Sequence, residues 1–246
     1  MNVKHAAGLP ARGSRRRVPW DWTDILLFLT TAFVVAPIGA LLLRGLAHVG
    51  DAAVSGEART AVQAFAGATG VYLSWVAVVL GLVVIRRHAS VRDLGWRRVR
   101  RRWLAIALPV SGATLIAAVW LAELSARLLP GAGSGQCTAV RHEFGHALGI
   151  AIVLVSIIDP AAEETIFRGF VYGWLRNRLP VAAAVAVSAA IFGAAHADLL
   201  LFLPLFGVGV VLAIVYELSG SLLISAVVHS LFNAYNVVAI LNAPSC

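Results

Sequence analysis

The apolar C-terminal half of this chain carries three short polar clusters: Glu163 to Arg168, Phe192 to His196, and His229 to Asn233. Ionisable groups are costly in such surroundings and point to function by default. Together the clusters supply two carboxylates, an arginine, two histidines and an asparagine, the equipment of a hydrolase. A carboxylate or imidazole at low dielectric can be tuned to act as a general base. An asparagine amide stabilises developing negative charge best where water is excluded.

Spacing within each cluster adds detail. Glu164 and Arg168 stand at i and i+4, acid first, which favours an ion pair on one helix face. Glu163 is then rotated by about 100° and points elsewhere. His229 and Asn233 share a face at i and i+4, as do Phe192 and His196, so an aromatic ring can restrict a histidine.

The elements that carry the clusters must bring them to one depth. Leu179-Pro180 reads as the tip of an antiparallel helical hairpin. Glu163 and His196 each lie 16 residues from it, about 24 Å along their helices. His229 lies about 14 Å into the last span and reaches the same depth if the hairpin projects beyond the membrane. Each cluster also has a bland reading: a structural ion pair, a polar helix end, or interhelical hydrogen bonding.

Composition sets the frame. Of 246 residues 60% are hydrophobic and 13% charged, which excludes an ordinary soluble domain. The apolar runs are continuous rather than alternating, so helices are expected and not a β-barrel. The fold class is all-α: a polytopic bundle of about seven spans enclosing a polar cavity. The spans are expected near residues 25–43, 62–85, 104–124, 146–177, 181–196, 199–216 and 222–241, with a kink at Pro160. Three regions follow: a basic tail over residues 1–21, spans 1 to 3 over 22–145, and the cluster-bearing region over 146–246.

The net charge of +8 is concentrated in Lys4 to Arg17 and Arg86 to Arg102. That distribution follows the positive-inside rule and predicts a cytoplasmic N-terminus, with anionic lipid headgroups as neighbours. No nucleic-acid-binding motif accompanies the charge, so nucleic acid is not expected as a partner. Trp20, Trp22, Trp96 and Trp103 read as interfacial anchors. No internal repeat marks a transporter.

A rival motif lies upstream. His142-Glu143-Phe144-Gly145-His146 fits H-E-x-x-H, which on a helix turns two histidines toward one zinc with the glutamate as base. Glu163 as a third ligand would stand about 25 Å from His146 on a continuous helix, too far for one ion. The expectation is a polar helix start with Glu143 near the N-terminal dipole, and a zincin-type site is the alternative.

Glu-Glu-x-x-x-Arg, Phe-x-x-x-His and His-x-x-x-Asn, each on an apolar helix and in this order, resemble the CPBP intramembrane proteases. That family includes type II CAAX prenyl endopeptidases and bacteriocin-processing or immunity proteins. The resemblance covers Asp159 to Tyr235, about a third of the chain. It implies a membrane-embedded metalloendopeptidase of a peptide or membrane-protein substrate, in the plasma membrane. Glu163 and His196 would activate water, His229 and Asn233 would stabilise the oxyanion, and Glu164, Arg168 and Phe192 would support them. Glu163, His196 and His229 would fit a zinc site with an open position, and equally a metal-free glutamate mechanism. The other readings are a non-enzymatic immunity or scaffold protein that binds a peptide, and a carrier using buried carboxylates.

Overall fold

Within lipid every backbone N–H and C=O must be paired inside the protein, and the apolar runs meet that demand as helices. The computed structural model describes residues 18–50, 56–132, 135–145 and 147–242, with no strand among them. Most of the basic tail and His146 lie outside the described residues. The main helices are α1 (Trp22–Gly50), α2 (Glu57–Leu80), α3 (Arg101–Leu128), α4 (Gly135–Phe144), α5 (Leu148–Val153), α6 (Asp159–Glu163), α7 (Val181–Ala195), α8 (Phe202–Ser219) and α9 (Leu222–Asn242), with single turns over Val91–Leu94 and Gly173–Arg176. A π turn over Gly81–Arg86 extends α2, and π stretches over Leu154–Ile158 and Glu164–Tyr172 flank α6.

Of the seven expected spans, five are long and apolar enough to cross a bilayer. The other two are α7, with 15 residues, and the interrupted helical run over residues 148–176. These two carry the first two polar clusters, so the shortfall falls where the chemistry lies. Helices α1 and α3 turn Phe33, Leu41 and Trp120 outward, each at least 70% exposed. Such a surface is suited to lipid rather than water. The protein is an all-α, polytopic integral membrane protein.

One end of the bundle is knitted together by polar contacts. Asn177 Nδ2 donates to the Val18 carbonyl at 2.9 Å, and Ser221 Oγ to that of Arg97 at 2.6 Å. Leu222 N–H donates to the Gly95 carbonyl at 2.9 Å, and Arg176 Nη2 pairs with Glu217 at 2.8 Å. The described part of the expected inside segments therefore shares one face. Trp20 departs from the anchor reading. It is buried, donates Nε1–H to the Phe170 carbonyl at 2.8 Å and stacks on the Phe170 ring. An indole satisfied in this way belongs to the core, whereas Trp22 is exposed.

The expected bend at Pro160 takes a defined form. Asp159 N–H bonds the Leu154 carbonyl, five residues back, so the helix widens into a π turn before the proline. Continued π pairing would give the Val155 carbonyl the N–H of residue 160. Proline has none, and that carbonyl must find a partner elsewhere.

Candidate active site

The second π stretch, Glu164–Tyr172, is almost wholly buried and sets the two glutamates apart. Glu164 turns into the bundle and is fully buried, as is Arg168. Their ion pair closes at 2.9 Å, as the i, i+4 spacing predicts. A buried charge needs every lone pair answered, and Glu164 has further partners on α9. Ser225 donates its hydroxyl to Oε2. His229 Nδ1 lies 3.1 Å from Oε1. An ionised carboxylate only accepts, so Nδ1 carries the hydrogen and the ring's orientation is fixed.

Arg168 is covered on its other side. Its guanidinium lies 4.3 Å over the centroid of the Phe192 ring. The same ring makes edge contacts with His196 at 4.9 Å and His229 at 5.7 Å. Phe192 is thus a hub between the ion pair and both imidazoles.

His196 follows the last residue of α7. Its Nδ1–H donates to the Phe192 carbonyl at 2.8 Å, satisfying one of the carbonyls that a helix end leaves open. The imidazole is therefore locked by the cap it makes, with Nε2 directed to the first cluster.

Glu163 turns the opposite way from Glu164, into a cavity of about 400 Å³. Its Oε1 lies 3.9 Å from His196 Nε2 and its Oε2 lies 3.7 Å from His229 Nε2. Asn233 lines the same cavity, and its Nδ2 donates to the Val155 carbonyl at 2.8 Å. That is the carbonyl deprived by Pro160. An amide nitrogen has two hydrogens, so one remains for a ligand. Glu163, His196, His229 and Asn233 all line the cavity, while Glu164, Arg168 and Phe192 stand behind it. Most of the remaining wall is apolar, including Leu115, Val119, Leu205 and Ile240.

The chemistry of the donors suits a metal, because each histidine has its other nitrogen tied to an oxygen. The gaps of 3.7 and 3.9 Å between Glu163 and the two Nε2 atoms are a few tenths of an ångström longer than the edge of about 3.4 Å between two ligands of one tetrahedral zinc. Among the described residues no group of three His, Cys, Asp or Glu is gathered closely enough to hold a metal ion.

The rival motif loses its geometric basis. The helix bearing His142 and Glu143 ends at Phe144, and the next begins at Leu148. Gly145 between them adopts φ of 40°. The continuous helix that H-E-x-x-H requires is absent, and His142 and Glu143 are exposed.

Several site residues escaped the sequence reading. Ser225 stands one turn before His229, and an i, i+4, i+8 pattern through Asn233 could have disclosed it. Asp159 and Asn236 extend the polar lining of the cavity by one turn on their own helices. Tyr72 enters from α2 and no local pattern marks it.

Residues 146–235 match the model of the family described as type II CAAX prenyl endopeptidase Rce1-like. The membrane-embedded CAAX protease MroQ of Staphylococcus aureus (strain USA300) is 36% identical over 95 residues, 36% of this chain and 38% of that protein. The membrane peptidase YdiL of Bacillus subtilis (strain 168) is 30% identical over 92 residues, 37% of this chain and 38% of that protein. The chain thus spans about two-fifths of the length of each of these relatives. No solved structure matches significantly. Residues 146–235, which hold all three polar clusters, are thus the part of this chain that is similar to the Rce1-like type II CAAX prenyl endopeptidases.

Proposed function

We propose that this protein is an intramembrane endopeptidase that hydrolyses a peptide bond of a membrane-associated protein or peptide, prenylated CAAX-like substrates included. One observation carries the reading: the Glu163 carboxylate faces Nε2 of both His196 and His229 inside a largely apolar cavity. The names of the two relatives point the same way. The basic segment Arg86 to Arg102 supports an N-terminus in the cytoplasm.

In the proposed reaction a water lies between Glu163 and His196. Glu163 takes one of its protons as the water oxygen bonds to the scissile carbonyl carbon. The carbonyl electron pair moves onto its oxygen, where the free hydrogen of Asn233 and the His229 ring stabilise it. Collapse of the tetrahedral intermediate breaks the C–N bond, and the proton held by Glu163 passes to the leaving nitrogen. Glu164 and Phe192 act through the imidazoles, by holding them in place.

The test is cleavage in proteoliposomes, with a farnesylated CAAX-like peptide and an unprenylated membrane peptide as separate substrates. Wild-type turnover lost in Glu163→Gln and His196→Ala is the expected result. Turnover that survives in either variant would remove the reading.

A further inference from the structure

Tyr72 brings a hydroxyl from the N-terminal half of the chain into the site. Tyr72 lies on α2, its hydroxyl 3.5 Å from Glu163 Oε1. The ring is held by an edge contact with Trp75 at 5.8 Å, and it lines the cavity with Glu163 and His196. Helix α2 is seated closely on α1: a Cβ on Gly70 would meet the Gly39 main chain. The phenol is thus delivered by a fixed element rather than a loop.

The surroundings show what the hydroxyl does. Asp159 stands one turn before Glu163 on the same run and faces the same cavity. Its Oδ1 is buried without a hydrogen-bond partner. Without a donor between them, two carboxylates one turn apart would confront each other at low dielectric. The Tyr72 O–H is a single donor facing both carboxylates, and its hydrogen bond by distance is to Glu163 Oε1, at 3.5 Å, the oxygen nearer His196. A phenol that donates to Oε1 would restrict rotation of the carboxylate about its last bond.

We propose that Tyr72 is a positioning residue: its hydroxyl donates to Glu163 and fixes the carboxylate in the orientation that activates water. The proposal rests on the endopeptidase reading for its kinetic consequence, and the hydrogen bond itself can be tested without it.

The experiment combines infrared spectroscopy and kinetics on the full chain in detergent and in proteoliposomes. There are 4 tyrosines, so the phenol C–O stretching band of Tyr72 is identified by its loss in Tyr72→Phe. That band is expected to shift in Glu163→Gln. In the cleavage assay Tyr72→Phe, which keeps the ring on Trp75, is expected to lower kcat about tenfold, the worth of about one hydrogen bond. KM and the melting temperature stay unchanged, which separates positioning from a merely structural role. In Glu163→Asp, whose shorter carboxylate withdraws from the phenol, Tyr72→Phe should change kcat less than about twofold, since the pair acts as a unit. An unshifted band, an unchanged kcat, or losses that multiply would each overturn the proposal. A wild-type protein that cleaves neither peptide but shows the band shift would sink the endopeptidase reading and leave the hydrogen bond standing.

Discussion

The side-chain amide of Asn233 donates to the main-chain carbonyl of Val155, at 2.8 Å. The contact exists because Pro160 has no N–H to offer that carbonyl. It ties α9 to the π turn before α6, and so ties the expected oxyanion donor to the element that carries Glu163. Asn233→Leu should leave a buried carbonyl unpaired, at a cost of about 1–3 kcal/mol. Adding Pro160→Ala restores an N–H in the helix and should recover most of that loss. Thermal unfolding in detergent of both single variants and the double variant checks the coupling.

The Glu164–Arg168 pair is completely buried, so removing either partner strands the other. Arg168→Met and Glu164→Gln should each destabilise by about 3–5 kcal/mol, as expected for breaking a buried pair. Glu164→Gln should in addition release the His229 ring and lower activity per folded molecule. Circular dichroism melts with parallel turnover measurements separate the two effects.

Glu163 and His196 face the cavity, and beyond the cap of α7 and the Tyr72 contact they brace no other element. Glu163→Gln and His196→Ala should therefore reduce turnover by about 10²-fold or more, the scale of general acid–base assistance. Their melting temperatures should stay close to the wild-type value. A turnover loss matched by a collapse in stability would show that these groups are structural.

The proposed reaction uses Glu163 itself as the base and routes no step through a metal. Turnover should consequently survive prolonged dialysis against a strong chelator, and elemental analysis of the purified protein should find less than stoichiometric zinc. Zinc at one equivalent that disappears in His196→Ala or His229→Ala would contradict this and place a metal between the clusters.

At the start of α1 a capping arrangement is exposed to pH. Asp21 accepts from Thr23 N–H and Oγ1 and pairs with Arg87 at 2.6 Å, while Asp24 accepts from Asp21 N–H. The bonds from Thr23, assisted by Arg87, hold the Asp21 carboxyl below the usual carboxylate range. A depressed value means that the stabilisation is present above the unfolded value of about 3.9. It is lost as pH falls below that point. The melting temperature should drop between about pH 4 and pH 2, below that unfolded value, by less in Asp21→Asn than in the wild type.

Much of this architecture was legible in the sequence because lipid allows few solutions. Continuous apolar runs had to become helices, and the ends of α2, α3, α7 and α9 fall within a few residues of the hydropathy boundaries. The i, i+4 spacing of Glu164 and Arg168 fixed their pairing, since both lie on one face. Local order also separated Glu163 from Glu164. It could not show that the helix widens into π turns on both sides of α6.

What the tertiary structure alone decided is how residues distant in the chain meet. Glu164 reaches Ser225 and His229, Asn233 takes the carbonyl that Pro160 orphans, and Phe192 joins Arg168 to both imidazoles. Tyr72 arrives at Glu163 from 91 residues away, with no local motif to announce it. The H-E-x-x-H string is the converse case: its letters were in place, but the helix ends at Phe144. Sequence periodicity determines which side chains share a helix face. Only the packing of helices against one another determines which faces meet, because that depends on depth, rotation and breaks in the hydrogen-bond ladder.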